Sequence, residues 1–520
     1  MGKQSFIQGT LILLAAGIIN RLLGFVPRII LPRLIGSEGV GLYQMGYPLM
    51  IVILTVIAGG IPLAVAKLVA EAESRGNETE IRAVLRTALL LSVGAGAIFT
   101  ILCLLGAGWI AATLFTDERV VYTFLAMCPI ILFVGVSSVL RGYFQGRQNM
   151  IPTAASSIAE TLVRIVAVLM IAYVLLPYGI QYAAAGAMAG VTLGELCGML
   201  VIYAQYRKYK RALAQPQIAN FRNSRGNILP RLLSLSIPVT GSKLVGSGSY
   251  FLESIWIVQA LAAAGIATAT ATSQYGALQG MVIPILLLPN ALTYSLSVSL
   301  VPSLSEAAAR NDRATINRRL QQSIRLALVS GAPFAVVMFV LANPLCRALY
   351  NDAQVGDMLK MMAPIALFIY FQGPLQAALQ ALDRPGAALF NTFIGACVKL
   401  TLISLLASNP AFGIIGAIIA INANIVLVTL LHWRSIAKLL KISLNIAEFA
   451  KVGFVMFAMG VVCGAVMHAV WTENEHARLF ASVGCGMFAY LWLIARCKLI
   501  GKEDVRRIPL IGKWAVKFTR

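Results

Sequence analysis

Acidic side chains are scarce in this chain. Asp and Glu number 20 in 520 residues, and charged residues of both signs make up only 12%. A typical soluble domain carries about 25%, so the row of soluble domains that this length would ordinarily suggest is excluded. Histidine is rarer still, with three residues, and His432, His468 and His476 show no metal-ligand spacing. The eight cysteines form no Cys-x-x-Cys pair and lie almost entirely in apolar runs, where thiols act as small hydrophobes. Neither a metal site nor a cofactor is expected.

What the chain has instead is apolar sequence. Hydrophobic residues account for 59%, in runs long enough to span a bilayer. Fourteen such segments fall at roughly 6–31, 43–69, 83–112, 120–145, 151–176, 180–203, 230–263, 274–302, 319–344, 360–382, 386–408, 412–437, 446–470 and 477–497. The first is too long for a cleaved leader and is interrupted by Arg21, so it reads as a permanent helix. The expectation is an all-α integral membrane protein of about fourteen transmembrane helices.

The basic excess, 42 Lys and Arg for a net charge of +22, would suggest nucleic acid in a soluble protein. Here Lys and Arg crowd alternate connections between the apolar segments. That is the positive-inside pattern, with both termini cytoplasmic in the plasma membrane. No nucleic-acid partner is expected; membrane lipids are.

The chain also repeats itself. Glu71, Ala72, Arg75 and Ile81 recur at one fixed offset as Glu306, Ala307, Arg310 and Ile316. The same offset carries Leu114 and Asp117 onto Leu349 and Asp352, MCPIILF (127–133) onto MAPIALF (362–368), Gln145 onto Gln380 and Arg164 onto Lys399. The copies lie six segments apart and so thread the membrane in the same direction, as two parallel six-helix repeats. The organisation expected is an N-terminal lobe at 1–204, a basic cytoplasmic linker at 205–229 and a C-terminal lobe at 230–440. Two further helices follow at 441–498, then a basic tail at 499–520. Two lobes with parallel repeats suit alternating access around a site between them.

Charge left inside the spans marks that site, because an ionisable residue at the bilayer centre costs about 2.5–3.5 kcal/mol on insertion scales. Arg21, Arg164, Lys243 and Lys399 lie within segments, and Arg28 near the outer end of the first. Glu160, Glu195 and Glu253 are the candidate ion-coupling or counter-charge groups. Glu160 and Arg164, four residues apart, share a helix face and partly neutralise each other. A net positive cavity in low dielectric attracts an anion, and arginine's planar fork suits phosphate oxygens. Tyr250, Gln274, Tyr275, Gln279, Asn290 and Tyr294 either line a polar cavity or bond between helices.

Three stretches carry a family resemblance: the opening KQSFIQGTLILLAAGIINRLLGFVPRIILPRLIGSEGVGLY, then AKLVAEAESRGN, then LRGYFQGRQNMIPTAASSIAETLVRI. The chain resembles the polysaccharide-biosynthesis and lipid-flippase branch of the multidrug/oligosaccharidyl-lipid/polysaccharide exporter superfamily. That resemblance implies two lobes of six helices plus two additional helices. It also implies a role in spore cortex or cell-wall synthesis, and a polyprenyl-pyrophosphate-linked saccharide as cargo. The first-helix motif of the lipid II flippases, Arg, two residues, Gly-Phe and a second Arg, is matched by Arg21, Gly24 and Phe25. Arg28 stands one residue later, after Pro27, and Lys67 stands where those flippases carry a second-helix Arg. The function expected is a flippase, not an enzyme. The alternatives are a cation-coupled exporter of small cationic compounds, which would depend on Glu160, Glu195 or Glu253, and a non-transporting cell-wall assembly scaffold or glycosyltransferase. The transferase candidates would be Asp117-Glu118, Asp352 and Asp383.

Overall fold

The computed structural model describes residues 6–212, 228–440, 446–469, 472–497 and 499. The expected basic linker falls mostly on residues outside these, as does the expected basic tail. Among the described residues there is no strand, and eleven helical stretches are long and apolar enough to cross a membrane. This is an all-α, multi-pass membrane protein. The first of the eleven, Ala15–Ser74, is 60 residues long, enough for the first two expected segments. Helix 228–263 and the helices of 268–309 cover two more, so fourteen passes are compatible with the structure.

By contacts the chain forms two compact units, Met1–Gly280 with Ser408–Gly413, and Met281–Ala407 with Ile414–Arg520. The first holds α1 (Phe6–Leu23), α2 (Phe25–Ala58), α3 (Ile61–Ser74), α4 (Glu78–Leu114), α5 (Val120–Met127), α6 (Ile130–Gly146), α7 (Ile151–Leu175), α8 (Ile180–Ala212), α9 (Ile228–Ala263) and α10 (Thr268–Gly276). The second holds α11 (Ile283–Leu286), α12 (Asn290–Ala309), α13 (Arg313–Val340), α14 (Ala342–Tyr350), α15 (Val355–Met362), α16 (Ala366–Ala381), α17 (Pro385–Leu402), α18 (Ile414–Leu440), α19 (Ile446–His468) and α20 (Glu475–Arg496). A π-helical turn at Ala277–Val282 links the two sets. The repeat assigns α9 and α10 to the second copy, yet α9 packs on α2, α3 and α4 in the first unit. Sequence duplication records ancestry, whereas contacts record packing.

Two breaks shape the opening helices. Gly36, at φ +66° inside α2, adopts a left-handed backbone that glycine alone takes up readily. It divides the long helix where the sequence places the first turn. At Gly59-Gly60-Ile61-Pro62, proline lacks an N–H and the helix restarts as α3 with Gly60 at its N-cap. The duplication is visible in the backbone as well. Gly76 and Asn311 occupy equivalent positions with positive φ, as do Gln148 and Asp383. Directly after the first pair, Asn77 and Asp312 cap α4 and α13 with their side chains.

The closest helix pair in the first unit is α7 with α8. Gly186, Gly190, Gly194 and Gly198, spaced by four, form one face of α8. A β-carbon on Gly190 would run into the Val168 backbone nitrogen; one on Gly194 would lie 2.6 Å from Arg164 Cβ, and one on Gly198 3.0 Å from Glu160 Cβ. Small residues of this kind let membrane helices approach closely enough for dispersion to hold them.

Candidate functional site: an arginine–glutamate cluster in the first unit

Below that glycine face lies the charge of the first unit. Glu160 of α7 is 7% exposed, a cost that an isolated carboxylate could not sustain. Its Oε1 accepts from Arg164 Nη1 at 3.1 Å, and its Oε2 from Arg141 Nη2 at 2.7 Å. Arg164 also reaches Thr161 Oγ1 at 3.4 Å. Glu195 of α8 lies in the electrostatic neighbourhood of Glu160 and both guanidiniums. The Glu160–Arg164 pair is the one that four-residue spacing foretold. Arg141 escaped sequence reading because it lies near the end of a segment and passes for a loop cation. The run RGYF, continuing the helix beyond it, was the available signal.

Three tyrosines connect this cluster to the rest of the unit. Tyr47 of α2 lies in the field of Arg164, Glu195, Arg28 and Glu160, and Tyr43 in that of Arg164 and Arg28. Tyr250 of α9 feels Glu253, Arg28 and both α2 tyrosines. Arg28, Arg164, Glu160, Glu195 and Glu253 therefore share one electrostatic neighbourhood. Arg28 is exposed, with its guanidinium carbon 5.8 Å from the Phe25 ring centre. Arg21, also exposed, closes the last turn of α1. Beside it Asn20 Nδ2 donates to Ser157 Oγ at 2.6 Å, tying α1 to α7 one turn before Glu160.

The remaining candidates have other settings. Lys243 Nζ donates to the Gly59 carbonyl at 2.7 Å, at the break between α2 and α3. It thus fastens α9 to a helix end, while Gly60 lies against the Ser236 backbone. Glu253, buried in α9, accepts from Gln279 Nε2 at 3.1 Å. Lys399 is buried in α17 of the second unit. At the positions equivalent to Arg141 and Glu160 that unit has Gln376 and Gly395. Polar contact between α17 and α18 is made there by Asn391 Nδ2, 3.1 Å from His432 Nδ1 and donating to Ser435 Oγ at 3.0 Å. The two copies have diverged in charge.

Each end of the first unit has its own ion network. At one, buried Asp117 accepts from Arg119 Nε at 3.0 Å, from Arg119 Nη2 at 2.8 Å and from Thr272 Oγ1 at 2.9 Å, and Arg119 also pairs with Glu38 at 2.8 Å. The Ser37 and Ser273 hydroxyls share a hydrogen bond of 2.6 Å. Burial alone would raise the Asp117 carboxyl, but hydrogen bonds from Arg119 and Thr272 outweigh it and hold the group below the ordinary carboxylate range. A depressed native value means stability that is present above the unfolded value, about 4, and lost as pH falls through the native one. Thermal melts between about pH 3 and 7 should therefore show an acid-side loss that is shallower in Asp117→Asn; equal acid slopes in the two proteins would contradict this.

At the other end Arg147, 6% exposed, donates from Nη1 to Glu73 and Glu78 and from Nη2 to Glu78, each at 2.6 Å. Its guanidinium lies 5.4 Å from the Tyr143 ring centre and 5.7 Å from that of Tyr209. Arg231 of α9 pairs with Glu71 at 2.7 Å and Glu80 at 3.5 Å. Asp117 is thus taken up by structural bonds, and Asp352 caps a turn by accepting from the Gln354 N–H at 2.9 Å. Among the described residues no group of three or more His, Cys, Asp or Glu is placed to hold a metal ion.

Residues 6–308, more than half the chain, match the family described as polysaccharide biosynthesis protein, and residues 249–405 match MatE. The chain belongs to the polysaccharide biosynthesis protein family. Within that family, stage V sporulation protein B of Bacillus subtilis (strain 168) is 43% identical over 524 residues, covering 99% of this chain and 100% of that protein. The lipid II flippase MurJ of the same organism is 25% identical over 419 residues, 77% of each chain. Among solved structures, a lipid II flippase MurJ in an inward closed conformation superposes with a TM-score of 0.70 at 16% identity, covering 94% of this chain and 98% of that one. An inward-facing multidrug resistance MATE family transporter of the MOP superfamily superposes with a TM-score of 0.64, also at 16% identity, over 81% and 95%. The superfamily resemblance carried by the sequence motifs is borne out. This polysaccharide biosynthesis protein shares its fold with those proteins.

Proposed function

We propose that the chain is an alternating-access flippase for an anionic lipid-linked saccharide, a polyprenyl-pyrophosphate peptidoglycan precursor used in spore cortex or cell-wall synthesis. It works in the plasma membrane with both termini cytoplasmic and performs no covalent chemistry. The observation that carries this reading is the pair of arginines, Arg141 and Arg164, held on Glu160 inside a membrane-spanning unit, with exposed Arg28 and Arg21 on the opening helices. Guanidinium groups so placed are assigned to the phosphates. Lys243 is assigned to tethering α9. The 43% identical stage V sporulation protein B supports the sporulation setting, and the 25% identical lipid II flippase MurJ supports the substrate class.

The test is flipping of a fluorescent polyprenyl-pyrophosphate disaccharide in proteoliposomes. A charge-assisted hydrogen bond to an ionised group contributes about 1.5–3 kcal/mol. Arg28→Ala and Arg164→Ala should therefore each slow flipping by roughly 10- to 150-fold with protein yield unchanged; wild-type rates in both would overturn the reading. A second reading, cation-coupled export of small cations, draws on buried Glu253 and its Gln279 partner. Its mark in the same vesicles would be a rate lost in Glu253→Gln and kept in both arginine variants.

A further inference from the structure

We infer that Glu160 is a built-in stand-in for the ligand, so that the anion site opens only to a head group carrying more charge than one carboxylate. The inference rests on the anion-carrying reading above and adds to it how one anionic lipid is told from another.

A site for a lipid-linked anion must compete with the anionic phospholipids of the bilayer itself, whose phosphodiester groups carry one negative charge each. The two guanidiniums of the cluster are not open to them. Arg141 Nη2 donates to Glu160 Oε2 at 2.7 Å, and Arg164 Nη1 to Oε1 at 3.1 Å. The carboxylate thus fills the place that two oxygens of a phosphate would take. Its backbone is fixed there by α8: a β-carbon on Gly194 would lie 3.0 Å from the Glu160 carbonyl oxygen, and one on Gly198 3.0 Å from Glu160 Cβ. Only the side chain can give way. A tethered group competes at a high effective concentration. A phosphodiester displacing it would exchange one negative charge for another and forgo the tether. A pyrophosphate diester brings two charges and gains a net attraction.

The donors left over suit a ligand of several oxygens. Each guanidinium has five N–H groups. Glu160 takes one from Arg141 and one from Arg164, and Arg164 gives another to Thr161 Oγ1 at 3.4 Å. Arg141 Nε is buried without a hydrogen-bond partner, and the two arginine side chains keep 28% and 30% of their surface exposed. A carboxylate has too few oxygens for these donors; a pyrophosphate has enough. Glu195, in the same neighbourhood, adds no positive charge for a monoanion to use. The second unit, with Gln376 and Gly395 at the positions of Arg141 and Glu160, has neither this guanidinium nor the stand-in.

The test uses the full-length protein in phosphatidylcholine nanodiscs. It measures binding of a fluorescent polyprenyl pyrophosphate diester, and its displacement by phosphatidylglycerol and by a polyprenyl phosphodiester of one charge. The wild type should bind the pyrophosphate and resist both competitors. In Glu160→Gln the preference for pyrophosphate should shrink by roughly 10- to 150-fold, the worth of one charge-assisted hydrogen bond. Glu160→Asp, which keeps the charge but reaches less far, should fall between the two, and it decides the matter if the Gln variant does not fold. A preference unchanged in the variant that folds overturns the stand-in and leaves the anion site in place. So does a wild type that binds the monoanions as tightly as the pyrophosphate. A wild type that binds none of the three lipids overturns the anion reading and the stand-in together.

Discussion

Replacing Arg147 with alanine is expected to destabilise the first unit by about 3–5 kcal/mol, the loss typical of removing one partner from a buried ion pair. The guanidinium joins the end of α6 to both sides of the α3–α4 turn, through Glu73 and Glu78. Tyr143 and Tyr209 lie against it, so α8 is bound into the same knot. Alanine would leave two carboxylates facing each other around a void. The effect should lie toward the lower end, since the Glu73 and Glu78 side chains keep 21% and 38% of their surface exposed. Arg147→Lys should recover only part of the loss, because a point charge cannot serve two carboxylates and two rings at once. Thermal unfolding in detergent, followed by tryptophan fluorescence and by aggregation, is the measurement. A change below about 1 kcal/mol would mean that water, not the arginine, satisfies those glutamates.

Removing Glu160 is expected to cost as much, about 3–5 kcal/mol, and to abolish flipping as well. Alanine at this position strands Arg141 and Arg164 inside the membrane span with Glu195 as their remaining carboxylate neighbour. The informative comparison is the triple replacement Arg141→Met, Glu160→Leu and Arg164→Met. Apolar residues of similar volume often restore the stability of a buried ion cluster, so this variant should melt close to the wild type while remaining unable to flip a pyrophosphate lipid. Melting with the single variant's deficit would show that the cluster is itself a source of stability. Flipping at the wild-type rate would remove it from transport altogether.

Much of the architecture was legible in the sequence because hydrophobic length and turn chemistry are local properties. The first turn falls at Gly36, inside the gap between the first two apolar segments. The repeat-equivalent left-handed residues and helix caps confirm that the duplication extends to backbone detail. The Glu160–Arg164 pair was legible for the same reason, four residues being one helical turn. Partners across helices were not. Lys243 finds a backbone carbonyl freed by a glycine–proline break, and no pattern of side chains announces a carbonyl. Arg141 needed the end of α6 placed within a few residues, and helix ends are where sequence reading is weakest. The four-residue glycine spacing of α8 was in plain view, yet only α7 lying against it reveals which charges it brings together.

That glycine face also has a mechanical consequence. Two helices packed this closely over several turns, with glycines on one of them leaving the facing side chains no room to slide, behave as one stiff strut. Glu160, Arg164 and Glu195 are mounted on that strut, so the spacing among them is preserved through any rearrangement of the bundle. On the proposed flippase cycle the jaw holding the cargo would keep a constant shape, and the motion would fall to joints elsewhere, such as the Gly59-Gly60 break between α2 and α3 and the proline, Pro238, inside α9.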